Sequence, residues 1–374
     1  MVPTKEQIRD RLAAIKAPDG RPLPNSGTLS EIVVSDDGKV FFSIAVDAAA
    51  VKAWEPVRKT VEEAVRSVPG VRSAMVALTA ERAVGGPSSA PQRAGGTPPS
   101  GSGAGPSGVP GVSSIIAIAS GKGGVGKSTT AINLALGLRD LGLKVGVLDA
   151  DIYGPSLPKL LAIKERPQTL GGTRLVPISS FGLTVMSIGF LIEEETPMIW
   201  RGPMVMSALT QMLREVEWGT LDMMVVDMPP GTGDAQLTMA QQVPLAGAVI
   251  VSTPQDLALI DARRGIAMFK RVNVPVLGIV ENMSYFLCPH CGTRSDIFGH
   301  GGARHEAERL NVPFLGEVPL DMTIRETSDA GLPVVATKPD GPHAKVYRDI
   351  ASRVRDQVQG RSRARSAPNI VIEA

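Results

Sequence analysis

The sequence predicts an α/β protein: a doubly wound, mostly parallel sheet, preceded by a small α/β domain on a flexible linker. Three observations carry this prediction. From residue 112 onward, near-continuous runs of Val, Ile and Leu alternate with helical stretches, the pattern of parallel strands covered on both faces. A glycine-rich loop joins the first of these strands to the first helix. Within a linker over 83–111, residues 85–111 are almost wholly Gly, Pro, Ser, Ala and Thr, which bury too little apolar surface to order themselves.

In the small domain, 1–82, Thr4 and Gln7 are spaced as a capping box and open an amphipathic helix over 4–15. A strand at 40–46, a helix at 51–68 and a strand at 72–78 follow. The large domain, 112–360, begins with the wholly apolar strand Ile115–Ala119 and a helix over 128–141. The next strand, 144–148, ends in Asp149-Ala-Asp151, and later strands are predicted at 183–188, 223–226, 246–251, 276–280 and 314–318. Residues 341–360 read as a packing helix, and the arginine- and serine-rich tail 361–374 is expected to be disordered. Open α/β sheets bind ligands beyond the carboxyl ends of their strands. The loop 121–128, Asp149, Asp151, Asp227 and Asn282 all fall at such ends, so they are expected to converge on one crevice.

Composition narrows the function. The 374 residues leave room for two or three domains. A net charge of +2, with no basic stripe interleaved with aromatics, gives no nucleic-acid footprint. No run of eighteen apolar residues is present, so no spanning helix and no membrane partner is expected. The N-terminus lacks an apolar signal core, and two cysteines make no disulfide framework; both point to the reducing cytoplasm.

Gly121, Lys122, Gly123, Gly124, Val125, Gly126, Lys127, Ser128 and Thr129 form a phosphate-binding loop, in which Gly121 to Ser128 fits G-x-x-x-x-G-K-[ST]. Backbone N–H groups face the anion, glycines permit close approach, and a helix N-terminus stands behind. Lys127 reaches the terminal phosphates of ATP, and the Ser128 hydroxyl sits on Mg²⁺. Gly121, Gly123 and Gly126 also satisfy the dinucleotide fingerprint, with Asp149 near the position of a ribose-binding acid. The Lys-Ser-Thr run favours the triphosphate. So does a second apolar strand ending in Asp227, a magnesium-holding acid, followed by Met-Pro-Pro-Gly-Thr-Gly-Asp234, which suits a loop sensing a γ-phosphate.

Lys122 is a second ammonium that one nucleotide site does not need. Unless it is a solvated surface lysine, it implies a homodimer in which it meets the nucleotide of the facing subunit, as an arginine finger does in trans. Cys288 and Cys291, the only cysteines, are three apart. A redox couple, a zinc site and an iron–sulfur site all remain open for them. Two such pairs meeting at a two-fold axis give four thiolates, enough for a [4Fe–4S] cluster or a structural zinc.

The run Lys122-Gly-Gly-Val-Gly-Lys-Ser-Thr129 resembles the deviant Walker A loop of the ATPase group containing MinD, ParA and the nitrogenase iron protein. That resemblance implies that Lys122 crosses a dimer interface, Asp151 orients the attacking water and Asn282 hydrogen-bonds the adenine. Residues 115–332 resemble the Mrp-type (ApbC/Nbp-like) iron–sulfur cluster carrier ATPases. The match runs through Gly121–Thr129, Asp149–Ser156, Trp200-Arg-Gly-Pro203, Asp227–Asp234, Val280-Glu-Asn-Met-Ser284, Cys288-Pro-His-Cys291 and Gly316–Asp321. It implies ATP hydrolysis coupled to holding a labile [4Fe–4S] cluster between subunits, on Cys288 and Cys291, and delivering it to apo-proteins, with cluster scaffold proteins as further partners. Residues 1–82 resemble the small iron–sulfur assembly domain often fused ahead of this ATPase. That domain commonly carries a cysteine; none precedes Cys288 here, so partner docking is the expectation. The alternatives are a positioning ATPase like ParA or MinD, and a zinc-stabilised dimeric NTPase without a cluster.

Overall fold

The computed structural model describes residues 3–18, 20–25, 28–30, 32–34, 38–47, 51–81, 108–170, 174–191 and 202–366. The chain divides into two compact units, Met1–Gly101 and Ser102–Ala374.

In the small unit, helix Lys5–Ala13 starts at the predicted capping box: Gln7 N–H donates to Thr4 Oγ1 at 3.3 Å, and Thr4 N–H to Gln7 Oε1 at 3.0 Å. Strands Lys39–Asp47 and Ser73–Glu81 pair in parallel, joined by helix Val51–Arg66 as a βαβ crossover. A short strand, Val33–Val34, adds an antiparallel edge that two residues could not announce in the sequence. Ile8, Leu12, Ile44, Val61 and Val65 are fully buried between these layers.

The large unit is built on an eight-stranded sheet. We label its strands in chain order β1 (Ile115–Ala119), β2 (Val145–Asp149), β3 (Ile178–Ser180), β4 (Leu183–Ser187), β5 (Met223–Asp227), β6 (Leu245–Ser252), β7 (Val276–Glu281) and β8 (Phe314–Glu317). Their order across the sheet is β8-β7-β6-β1-β5-β2-β4-β3. All neighbours are parallel except the β3–β4 edge hairpin. β3 is missing from the sequence prediction because three residues of Ile-Ser-Ser carry no periodic signal. Every residue of β1, β2, β5 and β7 is buried, which is why these strands read as unbroken apolar runs.

Helix Lys127–Asp140 packs against the C-terminal helix Pro342–Ser366, where a Cβ on Gly137 would stand 3.0 Å from the Tyr347 carbonyl oxygen. The C-terminal helix runs past residue 361, the start of the tail expected to be disordered; three arginines and Ala364 sustain helix better than Ser362 and Ser366 oppose it. Residues 367–374 and 82–107, the latter including most of the expected linker 83–111, lie outside the described residues.

Candidate nucleotide site and cysteine hairpin

The phosphate loop leaves the sheet at the carboxyl end of β1, its central strand. Gly124 (φ +81°) and Gly126 (φ +78°) take the left-handed conformation that side chains resist. A Cβ on Gly121 would stand 2.2 Å from the backbone of Asp261, so that glycine is fixed by close packing instead.

Lys127 opens the helix behind the loop, only 6% exposed. Its Nζ lies 2.5 Å from Asp227 Oδ1, 3.7 Å from Asp151 Oδ2 and 3.3 Å from Ser128 Oγ. Register places Asp227 at the end of β5 opposite Asp149 at the end of β2, so the two carboxylates sit side by side. Asp227 is fully buried, and its Oδ2 has no hydrogen-bond partner. A buried carboxylate oxygen left without a partner, with the Ser128 hydroxyl near the same Lys127 ammonium, is the kind of oxygen donor a hard divalent cation takes, and it fits Mg²⁺.

Asp149 is also fully buried, but satisfied. Its Oδ2 accepts from Ser187 Oγ (2.9 Å), Ser156 N–H (3.0 Å) and Leu157 N–H (3.2 Å), and its Oδ1 from Asp151 N–H (3.1 Å). Burial, and then the charge of Asp227, push its carboxyl up to about 7 against these hydrogen bonds. Asp149 therefore ties the segment 151–157 to β4 instead of facing a ribose. Asp151 is raised by burial, opposed by Lys127. It lines a cleft of about 330 Å³ together with Tyr153, Gly154, Pro229, Pro230, Gly233 and Gln236, so the two loops predicted to sense the nucleotide share one concavity.

Lys122 is half-buried, and no described carboxylate pairs with it. Its carbonyl accepts from Ser120 Oγ at 2.8 Å. The Thr129 carbonyl accepts from Asn133 Nδ2 at 2.9 Å, within the helix. Asn282, at the end of β7, turns its amide onto the phosphate loop: Nδ2 donates to the Val125 carbonyl at 2.8 Å.

Cys288 and Cys291 sit in a hairpin whose strands, Phe286–Leu287 and Arg294–Ser295, pair antiparallel. Cys288 N–H donates to Thr293 O (3.0 Å), and Gly292 N–H to Cys288 O (2.8 Å), closing the turn. Cys288 is half-buried and Cys291 exposed, and both are free thiols. The Thr293 hydroxyl, 3.2 Å from Cys291 Sγ, lowers that thiol. No cluster of three or more metal-ligating side chains exists among the described residues.

The sequence reading missed three contributors. Glu281 is fully buried and accepts from Ser284 Oγ (2.6 Å) and Ala303 N–H (2.7 Å). A glutamate closing an apolar strand was the signal available. Ser187 gave none and Glu317 only its place in the motif Gly316–Asp321, since each matters through a partner distant in sequence. Trp200 and Arg201 of the third matching motif lie outside the described residues.

The chain that carries this phosphate loop and cysteine hairpin has relatives among known proteins. Residues 111–355 match the model of the NUBPL iron-transfer P-loop NTPases. This chain belongs to that family. Residues 5–78 match the iron–sulfur cluster assembly protein model. Among curated relatives, the iron–sulfur cluster transfer protein NUBPL of Dictyostelium discoideum is 52% identical over 270 residues, covering 71% of this chain and 84% of its own. The iron–sulfur cluster carrier protein of Salmonella typhimurium is 55% identical over 252 residues, covering 67% and 68%. A nucleotide-binding protein of Archaeoglobus fulgidus, solved in complex with ADP, superposes with a TM-score of 0.55 at 40% identity, over 62% of this chain and 90% of that one. The NUBPL-family chain is thus a nucleotide-binding P-loop NTPase.

Proposed function

We propose that this chain is an ATP-hydrolysing iron–sulfur cluster carrier that works as a homodimer. The observation that carries the reading is an incomplete ligand set on an otherwise complete ATPase. One chain offers two free thiols on an exposed hairpin and no third metal ligand beside them among the described residues. A second copy supplies the other two, and a [4Fe–4S] cluster is the cargo that four thiolates hold. Lys122, half-buried with no described carboxylate partner, supports the same dimer by meeting the facing nucleotide.

Lys127 and the loop amides Gly121–Thr129 hold the ATP phosphates, while Ser128 and Asp227 hold Mg²⁺, which neutralises phosphate charge when bound. Asp151 positions the attacking water from the shared cleft, and Asn282 keeps one amide N–H for the adenine. Domain boundaries at 1–82 and 112–360 follow, with the small domain docking partner proteins such as cluster scaffolds and apo-proteins. Free thiols of this kind suit a reducing compartment such as the cytoplasm. No described helix is long and apolar enough to cross a membrane.

Anaerobic reconstitution with iron and sulfide tests the reading. The protein is expected to develop visible cluster absorbance at one cluster per two chains. Cys288→Ala and Cys291→Ala should lose it while keeping ATP hydrolysis. Unchanged iron content in those variants, zinc bound in preference to a cluster, or a protein that stays a monomer with ATP would refute it.

A further inference from the structure

The cysteine hairpin and the phosphate loop lie at the same end of the sheet, and one short stretch of chain touches both. We infer that Asn282 and Met283 couple them, so that nucleotide in the loop sets the reactivity of Cys288 and Cys291. The inference deepens the carrier reading and rests on it for its purpose, though not for its test.

A peptide plane points its C=O and N–H in opposite directions. In the Val125–Gly126 peptide the C=O accepts from Asn282 Nδ2, which leaves the Gly126 N–H directed the other way, available to an anion. A carbonyl can only accept, so the amide must present its NH₂ group there. Asn282 therefore fixes the orientation of a peptide that a phosphate also selects. Met283 packs against the same place: its Cε lies 3.9 Å from where a Cβ on Gly126 would stand, and Asn282 Nδ2 only 2.2 Å from it. Met283 itself is held at φ +55°, a left-handed conformation that a methionine adopts only when its surroundings impose it.

From Asn282 to Cys288 the chain has little slack. Asn282 N–H donates to Ser252 O (2.7 Å), Ser284 N–H to Val318 O (3.0 Å) and Leu320 N–H to Tyr285 O (2.7 Å). The buried Glu281 carboxylate holds the Ser284 hydroxyl at 2.6 Å. Arg294, on the far strand of the hairpin, stacks on the Tyr285 ring at 4.3 Å and lies 3.6 Å from Glu317 Oε2. The hairpin is thereby fastened to the stretch that grips the phosphate loop. A change in the Val125–Gly126 peptide alters the hold on Asn282, strains or relaxes Met283, and is passed along a braced segment of six residues to Cys288. Coupling of this kind is a free energy shared between two sites, and it runs equally in both directions.

Thiol alkylation of the metal-free protein measures this directly, because the chain contains only these two cysteines. Iodoacetamide labelling rates are compared without nucleotide and with Mg²⁺ and ADP well above the Kd measured for each variant. In the unaltered protein, nucleotide should change the rate by at least about fivefold, the lower end of ordinary site-to-site coupling. In Asn282→Ala, with nucleotide bound, the change should shrink below about twofold. Met283→Gly, which keeps the left-handed backbone and removes the contact, should show the same loss and guards against misfolding of the first variant. A nucleotide-independent rate in the unaltered protein, or an undiminished effect in both variants, would overturn the inference. No iron enters the experiment, so a failure of cluster carriage leaves its result intact.

Discussion

Lys127 Nζ stands 2.5 Å from Asp227 Oδ1 in a place where the lysine is 6% exposed and the aspartate fully buried. The lysine proposed to reach for phosphate and the aspartate proposed to hold the metal are thus each other's counter-ion, brought together from the ends of the adjacent strands β1 and β5. Removing either partner strands a charge in low dielectric, which costs about 3–5 kcal/mol. Lys127→Met and Asp227→Leu should each lower stability by that order, whereas the double variant should be less destabilised than the two singles summed. Urea unfolding of the nucleotide-free protein checks it, and additive single effects would contradict a coupled pair.

Asp151 lines the cleft shared by the two loops proposed to sense the nucleotide. If it positions water, Asp151→Asn should lower kcat by about 10²–10⁴-fold while ADP affinity changes little. Steady-state ATPase assays with equilibrium ADP titration separate the two effects. A loss confined to affinity would place Asp151 in binding instead.

Two glycines of the loop differ in kind. A Cβ on Gly121 meets the Asp261 backbone at 2.2 Å, while one on Gly123 meets nothing within 4 Å. Gly121→Ala should destabilise by about 1–3 kcal/mol through overpacking, and Gly123→Ala should be nearly neutral to folding. Thermal unfolding of both variants distinguishes them.

Asp149 gives a pH dependence of unusual sign. Its carboxyl is raised to about 7, against about 4 in an unfolded chain. Between these values the folded protein holds a proton that the unfolded one has released. Stability from this group is therefore present at low pH and lost as pH rises towards 7. Asp149→Asn, neutral at every pH, should gain on the unaltered protein between pH 5 and pH 7.5 in chemical denaturation, and a pH-independent difference would contradict the assignment.

Cys291 should be the faster of the two thiols. The Thr293 hydroxyl stabilises its thiolate, so Thr293→Val should slow alkylation of Cys291 near neutral pH and leave Cys288 largely unaffected. Mass spectrometry of partially alkylated protein reads each site, and equal slowing at both would refute a local effect.

The loop Gly121–Thr129 was legible in the chain because its chemistry is contiguous: glycines, a lysine and a hydroxyl must follow one another to wrap a phosphate. The strands were legible because burial on both faces demands unbroken Val, Ile and Leu, and the capping box at Thr4 and Gln7 because its two bonds span three residues. Cys288 and Cys291 stood out as a pair by spacing, which alone left redox and metal readings open. What tertiary structure decided are relations between residues far apart in the chain. Asp149 is clamped by Ser187 rather than open to a ligand, Lys127 is paired with Asp227, and Asn282 braces Val125 across 157 residues of sequence. Local order is written in neighbouring residues; which buried polar groups satisfy one another depends on how the strands are laid side by side, and only the folded sheet fixes that.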